Sequence, residues 1–309
     1  MNELEIIHHR QMEGLSIFFD TVDFRTPHIH SEWELIWVLE HPLAVTCGQE
    51  QFLLRPGEMI LFNPNELHEF HKTGENCTFL CLQLSPSLFP DMQPVRVDEH
   101  LPGKFLEPAE MERMRKDLQD MLLSYLRSDP YYPLYCAGQA CMLMYRLLCA
   151  LPCHPQTPEE TSSIGKRNAR LNRFIRFVEE NYMHRIRLED FARQEECSLS
   201  YLSRFIKSTL NQNFQEYVTS VRFHRACEII AAGQKRMLDV CMESGFSDYR
   251  YFSREFRRQY GMTPEEYSCH TKRMELQTPA VRRSLQSVEW FYTKEESLKL
   301  AWQFFGVKK

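Results

Sequence analysis

The chain has 309 residues, 43% of them hydrophobic and 26% charged, with a formal net charge of −5 at pH 7. That length fits two domains of roughly 100–200 residues, and the composition excludes a disordered or collagen-like chain. No run approaches the roughly 18–20 apolar residues that a membrane helix needs, and Glu3, Glu5, His8 and His9 stand where a secretory leader carries its basic patch, so a cytoplasmic protein with no membrane partner is expected.

The eleven cysteines are odd in number, scattered, and form no CxxC pair. They read as free, mostly buried thiols in a reducing compartment. Cys149, Cys153 and His154 lack the spacing of a structural zinc site. Charge divides the chain: residues 1–165 hold 11 basic and 24 acidic side chains, net −13, whereas residues 166–273 hold 20 and 14, net +6. An acidic front joined to a basic back points to a polyanion-binding module carried by something else.

From Ser16 to about Leu84 the pattern is one of short strands. Glu34–Leu39, Glu58–Phe62 and Thr78–Leu82 are rich in strand formers, and turn residues such as Pro56-Gly57 and Asn63-Pro64-Asn65 separate them. Such spacing predicts a sandwich or barrel. From Pro108 the period changes: Met111, Met114, Leu118, Met121, Leu122 and Tyr125 recur at helical spacing, and a second helix is expected from about Leu134 to Leu148. These two helices would cover the barrel edge or pair with a second subunit. Residues 152–165, rich in Pro, Ser and Thr, read as a linker.

Within the strand region, His28, His30 and Glu34 share a parity, so on an extended strand all three point one way; His68 follows in Gly57-Glu-Met-Ile-Leu-Phe-Asn63-Pro64-Asn65-Glu-Leu-His68. These two segments resemble the paired cupin motifs, with Asn63-Pro64-Asn65 standing where Pro-x-Gly is usual. Asn tolerates the left-handed conformation that glycine supplies, so the turn is expected to survive. In metal-binding cupins three His and a Glu hold a divalent metal. Here the four residues are expected to line the pocket of an organic effector, with no metal and no cofactor; a metal held by the same four is the alternative.

The basic half holds two similar stretches about fifty residues apart. Leu171, Phe174, Ile175 and Val178 open it on one helical face. A short helix, Leu188–Gln194, precedes a turn and then Ser198, a good cap for a helix whose core face carries Leu199, Leu202, Phe205, Ile206 and Leu210. Ser200, Arg204 and Lys207 fall roughly opposite that face, and Asn211 is expected to stop the helix. A long helix runs from about Phe214 to Ala232 and ends at Gly233. The second unit begins at Met237, turns at Gly245, and is capped by Ser247 before a helix from Asp248 to Tyr260. Phe252, Phe256 and Tyr260 form its buried side, Arg250, Arg254, Arg257 and Arg258 its other; Gly261 and Pro264 close the module. Arg204 and Arg254 stand at equivalent places. Arginine on such a helix can pair with guanine O6 and N7, and Lys207, Arg257 and Arg258 suit phosphates.

Residues 171–267 resemble the DNA-binding domain of the AraC/XylS transcription regulators through Leu188-x2-Phe-Ala192, Ser198-x2-Tyr-Leu-Ser-Arg-Phe205, Phe214-x2-Tyr217, Arg222-x3-Ala226, Gly245-Phe-x-Asp-x2-Tyr-Phe252, Phe256 and Gly261-x-Thr-Pro264. Glu196, Leu210, Asn211 and Cys241 depart from the usual residues. The resemblance implies an α+β multidomain chain: a cupin-like β-barrel with flanking helices, then an all-α double helix-turn-helix domain. The expected boundaries are 1–107 for the sensor, 108–151 for a helical dimerisation region, 152–165 for the linker, 166–272 for the DNA-binding domain and 273–309 for a helical extension. It further implies two recognition helices in successive major grooves about 34 Å apart. Ser200, Tyr201, Arg204 and Lys207, then Tyr249, Arg250, Arg254 and Arg257, are the expected DNA contacts, Tyr201 and Tyr249 being the weaker of these because each is also a core candidate. The implied partners are promoter DNA, a small-molecule effector bound at His28, His30, Glu34 and His68, RNA polymerase, and a second copy of the chain. No catalytic residue is expected; no nucleophile–base set or phosphate-cradling glycine loop is present. The alternative is a metal-dependent cupin oxygenase or isomerase fused to a DNA-binding module. A thiol redox sensor built on Cys47 or Cys77 would require a depressed thiol pKa.

Overall fold

A computed structural model describes residues 12–210, 212–231, 235–260, 262–274, 281–283 and 287–306. Asn211, Gly233 and Gly261, expected to end helices, lie outside the described residues, as does the side chain of Tyr260.

The front half contains β1 (Leu15–His28), β2 (Trp33–Glu40), β3 (Leu43–Cys47), β4 (Glu50–Leu54), β5 (Met59–Phe62), β6 (His68–Lys72) and β7 (Cys77–Leu84). They pair antiparallel in the order β4-β3-β6-β1-β7-β2-β5, a nearly closed barrel. The strands are apolar on both faces for a reason. Val22, Ile36, Val38, Val45, Phe62, Phe70 and Phe79 fill the interior. Ile17, Phe19, Leu35, Trp37, Leu80 and Leu82, of opposite parity, face outward under helices. Asn65 takes φ +60°, so it does supply the left-handed turn usually given to glycine.

Strand β8 (Val95–Val97) precedes α1 (Pro108–Arg127) and α2 (Tyr132–Ala150). Pro108 at the first position and the reciprocal Glu107–Glu110 capping box start α1. Its buried stripe, Met111, Met114, Leu118, Met121, Leu122 and Tyr125, is the predicted one and packs on the outer sheet face.

The stretch expected as a linker is ordered instead. Strand β9 (Cys153–Pro155) pairs with β8, and α3 (Pro158–Asn181) begins inside the stretch. Thr157 Oγ1 accepts from the Glu160 amide at 3.2 Å and the Glu160 carboxylate accepts from the Thr157 amide at 2.8 Å. The composition that reads as a linker is thus a capping box with proline in its first turn.

The basic half continues with α4 (Leu188–Gln194), α5 (Leu199–Leu210), α6 (Phe214–Ala231), α7 (Met237–Glu243), α8 (Tyr249–Tyr260) and α9 (Pro264–Met274). Two cores form. Leu171, Phe174, Phe191, Leu202, Ile206 and Val218 build the first; Phe223, Ala226, Val240, Cys241, Phe252 and Phe256 build the second. Helix α6 supplies both and joins the units. Two local expectations are corrected. Leu199 is exposed, because at the first position of α5 it lies beyond the core. The cap of α8 is Asp248, whose Oδ1 accepts from the Tyr251 amide at 2.6 Å, not Ser247.

Gly245 turns the second unit at φ +86°, and a Cβ there would stand 2.7 Å from the Tyr182 carbonyl oxygen. That oxygen already accepts from Arg222 Nε at 2.9 Å. Gly245→Ala is therefore expected to cost about 2 kcal/mol or more, read as a lowered denaturation midpoint. An unchanged midpoint would show that the two units are not packed through this turn.

Residues 273–309 are not simply helical. Strand β10 (Val281–Arg283) pairs with β11 (Ser287–Phe291), β11 pairs with β1, and α10 (Lys294–Phe305) follows. The chain thus returns from the basic half to the barrel. Phe305 stacks on Trp37 with centroids 5.4 Å apart, and Phe304 and Phe305 both contact Phe19. This explains the aromatic richness of the C-terminal segment: it covers sheet surface that would otherwise be wet.

Candidate functional site

The four predicted pocket residues converge, though not from one strand. His28 ends β1, His30 lies in the connection, Glu34 is in β2, and His68 opens β6 directly opposite His28. Shared parity is therefore not what assembles them; the barrel corner and the β1–β6 ladder are. One ligand atom from each lies within 4.8 Å of the others. Glu34 and His68 are buried, His28 and His30 partly so.

The imidazoles are held alike. Nδ1 of His28, His30 and His68 lies 3.1, 3.2 and 3.0 Å from the carbonyl oxygens of Thr26, Glu32 and Glu66. A carbonyl only accepts, so Nδ1 carries the proton and Nε2 keeps its lone pair. All three Nε2 atoms and Glu34 Oε2 are buried without a well-formed hydrogen bond. Glu34 Oε2 nevertheless lies 2.9 Å from His68 Nε2 and 3.4 Å from His30 Nε2. Lone pairs facing one another at these separations call for a shared cation, whether proton or metal. Burial alone would raise the Glu34 carboxyl, yet the neighbouring His30 and His68 hold it well below the usual carboxylate range. Burial, with Arg25 and His68 nearby, pushes His28 well down, so it stays neutral. Glu34 also raises His30 despite its burial, so a proton is favoured there; once that proton leaves, three imidazoles and a carboxylate are a donor set that divalent transition metals take.

In the basic half, Ser198 Oγ accepts from the Tyr201 amide at 3.3 Å and so caps α5 as expected. Ser200, Arg204 and Lys207 are exposed on α5, and Arg250, Arg254 and Arg257 on α8. Arg204 Nε donates to the Ser200 carbonyl at 3.3 Å, and the Arg254 guanidinium lies 5.5 Å from the Tyr251 ring centroid. Arg254 Nε also donates to Glu255 Oε1 at 3.3 Å. Both arginines stand six residues after their caps, Ser198 and Asp248. Each unit thus presents one arginine from the same helical position.

A family profile for the AraC-like ligand binding domain matches residues 11–125, and one for the helix-turn-helix domain matches residues 191–269. The chain belongs to the AraC/XylS family. Among its relatives is the uncharacterized HTH-type transcriptional regulator YdeC of Bacillus subtilis, 23% identical over 78% of this chain and 84% of that one. The HTH-type transcriptional regulator ExsA of Pseudomonas aeruginosa is 24% identical over 76% and 86%. The HTH-type transcriptional activator RhaS of Mannheimia succiniciproducens is 24% identical over 69% and 78%. Like other AraC-family proteins, the chain is a DNA-binding transcriptional regulator with an N-terminal ligand-binding domain. Among the described residues, no helix is long and apolar enough to cross a membrane.

Within this AraC-family frame, the two tyrosines differ from the arginines. Tyr201 OH accepts from Arg170 Nη1 at 2.6 Å, and Arg170 and Arg173 both donate to Glu195. These bonds, Arg173 foremost, bring the Glu195 carboxyl down against its burial. Glu195 thus fastens α3 to the first turn, a role that its place in an acidic pair does not reveal. Tyr249 OH donates to Glu265 of α9, and its ring packs at 6.0 Å from Phe252. Tyr249 is accordingly tied to α9 through Glu265 and to the second core through Phe252. Glu196, at the position where glycine is usual, takes φ +50°.

The thiol-sensor idea is not supported. Burial pushes the Cys47 thiol up and the Cys77 thiol up to about 12, the reverse of what a reactive thiolate needs. His154 pairs with Asp98 at 2.8 Å, away from any metal set with Cys149 and Cys153.

Two further features are not legible in the sequence. Glu289 of β11 is buried 3.4 Å from Arg25. Burial, reinforced by that Glu289 carboxylate, pushes the nearby Asp20 carboxyl well up. The C-terminal segment therefore contributes charge to the barrel. The second feature joins the two halves. Leu67, beside His68, packs on the first DNA-binding core, and the Asn65 carbonyl accepts from Asn168 Nδ2 of α3 at 3.2 Å. Asn65 in turn donates its amide to the His30 carbonyl at 2.7 Å. The turn 63–68 thus touches the cluster on one side and the DNA-binding unit on the other.

Proposed function

We propose that this chain is a cytoplasmic homodimeric transcription activator whose barrel senses its effector at His28, His30, Glu34 and His68. The observation that carries the sensor reading is the set of three imidazoles, each fixed by a carbonyl at Nδ1, aiming free Nε2 atoms at one carboxylate. That set supports a divalent transition metal as the effector or as its anchor; such an ion would supply positive charge where the lone pairs now oppose each other. Activation rests on relatives such as the transcriptional activator RhaS. Contact with RNA polymerase follows from activation.

Arg204 and Arg254 read bases, with Ser200 and Arg250 beside them, and Lys207 and Arg257 bind phosphate. Tyr201 is a supporting contact held by Arg170. Dimerisation is assigned to α2, which leaves Leu134, Tyr135, Met142 and Tyr145 exposed at helical spacing. Metal or effector bound at His68 alters the 63–68 turn, and through Leu67 and Asn65 biases how α3 and α5 are held. Such a bias acts only to the extent that the effector prefers one arrangement.

The test is selection of binding sites from random duplex DNA by the full-length protein. A bipartite motif is expected, its halves about one helical turn apart, as two helices on one frame require. Enrichment of no motif, or of a single half-site only, contradicts the two-helix reading.

A further inference from the structure

A second cluster of ligating side chains lies at the barrel rim, apart from the His28–His68 set. Cys47 ends β3 and Glu50 opens β4, directly paired across the Gly48-Gln49 turn. His100 and Glu66 approach from two other segments. One ligand atom each from Cys47, Glu66 and His100 lies within 4.8 Å of the other two, and all three residues are buried. His100 Nδ1 lies 2.9 Å from the Leu61 carbonyl oxygen, so that nitrogen donates and Nε2 keeps its lone pair. Nε2 stands 4.0 Å from Cys47 Sγ and 4.0 Å from Glu50 Oε2. At 4.0 Å the thiol–imidazole contact is too long for a strong hydrogen bond. It is close to the spacing of about 3.3–3.7 Å between neighbouring ligands around tetrahedral zinc.

The Glu66 carboxylate is itself held in place. Its Oε2 accepts from the Asn63 amide and from Asn63 Nδ2, each at 2.9 Å, and Arg96 donates to Oε1. Oε2 also lies 3.7 Å from His100 Nδ1, so the carboxylate reaches the cluster with hydrogen bonds already fixing its orientation. Charge closes as well. A divalent ion, one thiolate, the Glu50 and Glu66 carboxylates and the Arg96 guanidinium sum to zero, so occupancy leaves no net charge at the rim. Glu50 is exposed, which gives an ion a way in.

We propose that Cys47, Glu66 and His100, closed by Glu50, form a second divalent-metal site, of the thiolate-containing kind that takes Zn2+ or Co2+. The thiolate–imidazole–carboxylate mixture suits these borderline-soft ions and disfavours Mg2+ and Ca2+. The metal displaces the Cys47 proton to solvent as it binds. The site shares a turn with the first cluster: the Glu66 carbonyl accepts from His68 Nδ1 at 3.0 Å, and Cys47 is the cross-strand partner of His68. Occupancy therefore braces the turn that carries Leu67 to the DNA-binding half. The second site does not depend on a metal at the first cluster.

Co2+ titration of the chelator-stripped, full-length protein tests it, because only a sulfur ligand gives the near-ultraviolet thiolate-to-cobalt charge-transfer band. The band is expected in the wild type, retained in His30→Ala and in Cys81→Ser, and lost in Cys47→Ser. The Cys81 control matters, since Cys81 Sγ lies 3.2 Å from Glu34. Glu50→Gln changes an exposed side chain that the fold does not need, and is expected to weaken the Co2+ affinity read from the band by about tenfold or more. Absence of the band at saturating Co2+, its persistence in Cys47→Ser, its loss in Cys81→Ser, or an unaltered affinity in Glu50→Gln overturns the proposal.

Discussion

Arg204→Ala and Arg254→Ala are each expected to weaken binding at a specific site by about 1–3 kcal/mol, or about 5–150-fold, and to relax base preference at the position each one reads. Both side chains are exposed on helices whose opposite faces are anchored, Arg204 opposite Leu202 and Ile206, Arg254 opposite Phe252 and Phe256. Removal of either arginine is therefore expected to leave its core intact, Arg254 giving up in addition an exposed ion pair with Glu255. The two sit on separate cores, so their effects should add. Lys207→Ala and Arg257→Ala form the contrast. A cation removed from a phosphate lowers affinity on every sequence and reduces the salt slope by about one. Equilibrium binding to the selected motif and to scrambled DNA, at several salt concentrations, separates the two classes. Wild-type affinity and preference in both arginine variants would show that α5 and α8 are not the recognition helices.

At the sensor, His30→Ala and Glu34→Gln are each expected to lower divalent-metal affinity by about 10–100-fold or more. In elemental analysis of protein purified without chelator, each should show one metal equivalent fewer than the wild type. The expectation follows from the Nδ1–carbonyl bonds, which leave four buried donor atoms facing inward without a well-formed hydrogen bond. Glu34→Gln is the more telling change. It keeps the volume and can donate to a bare Nε2, so the cluster gains a hydrogen bond while losing a charged ligand. Equal metal content in wild type and both variants would remove the metal from this cluster and return it to an organic effector.

The DNA-binding half is readable because its signals are local. The helix α4 matches its expected span, and the Ser198 cap, the Gly245 turn and the Phe252/Phe256 stripe each follow from residues three to seven apart. The sensor is readable in outline for another reason: alternation marks strands, and a change of period at Pro108 marks α1. What stays hidden is long-range or ambiguous. Glu289 reaches Arg25 across more than 250 residues of chain, and no pattern in either segment announces the pairing of β11 with β1. Thr157-Pro158-Glu159-Glu160 reads equally as linker composition or as a capped helix start, and only the continuation into α3 decides. The four cluster residues are legible from their spacing, but the parity argument behind it is one that the barrel corner does not obey. Tyr201 and Tyr249 are ambiguous between groove and core; their partners, Arg170 and Glu265, lie in other helices.

The central claim is that the barrel cluster and the recognition helices communicate. The most direct measurement is the affinity of one full-length preparation for the selected DNA motif, taken chelator-stripped and again after reloading with metal, with His30→Ala treated in parallel. Coupling through the 63–68 turn predicts a change of about 5–150-fold between the two states of the wild type and a smaller one in His30→Ala, which keeps only the second site. Equal affinity in the stripped and reloaded wild type, with metal shown to have bound, would contradict it.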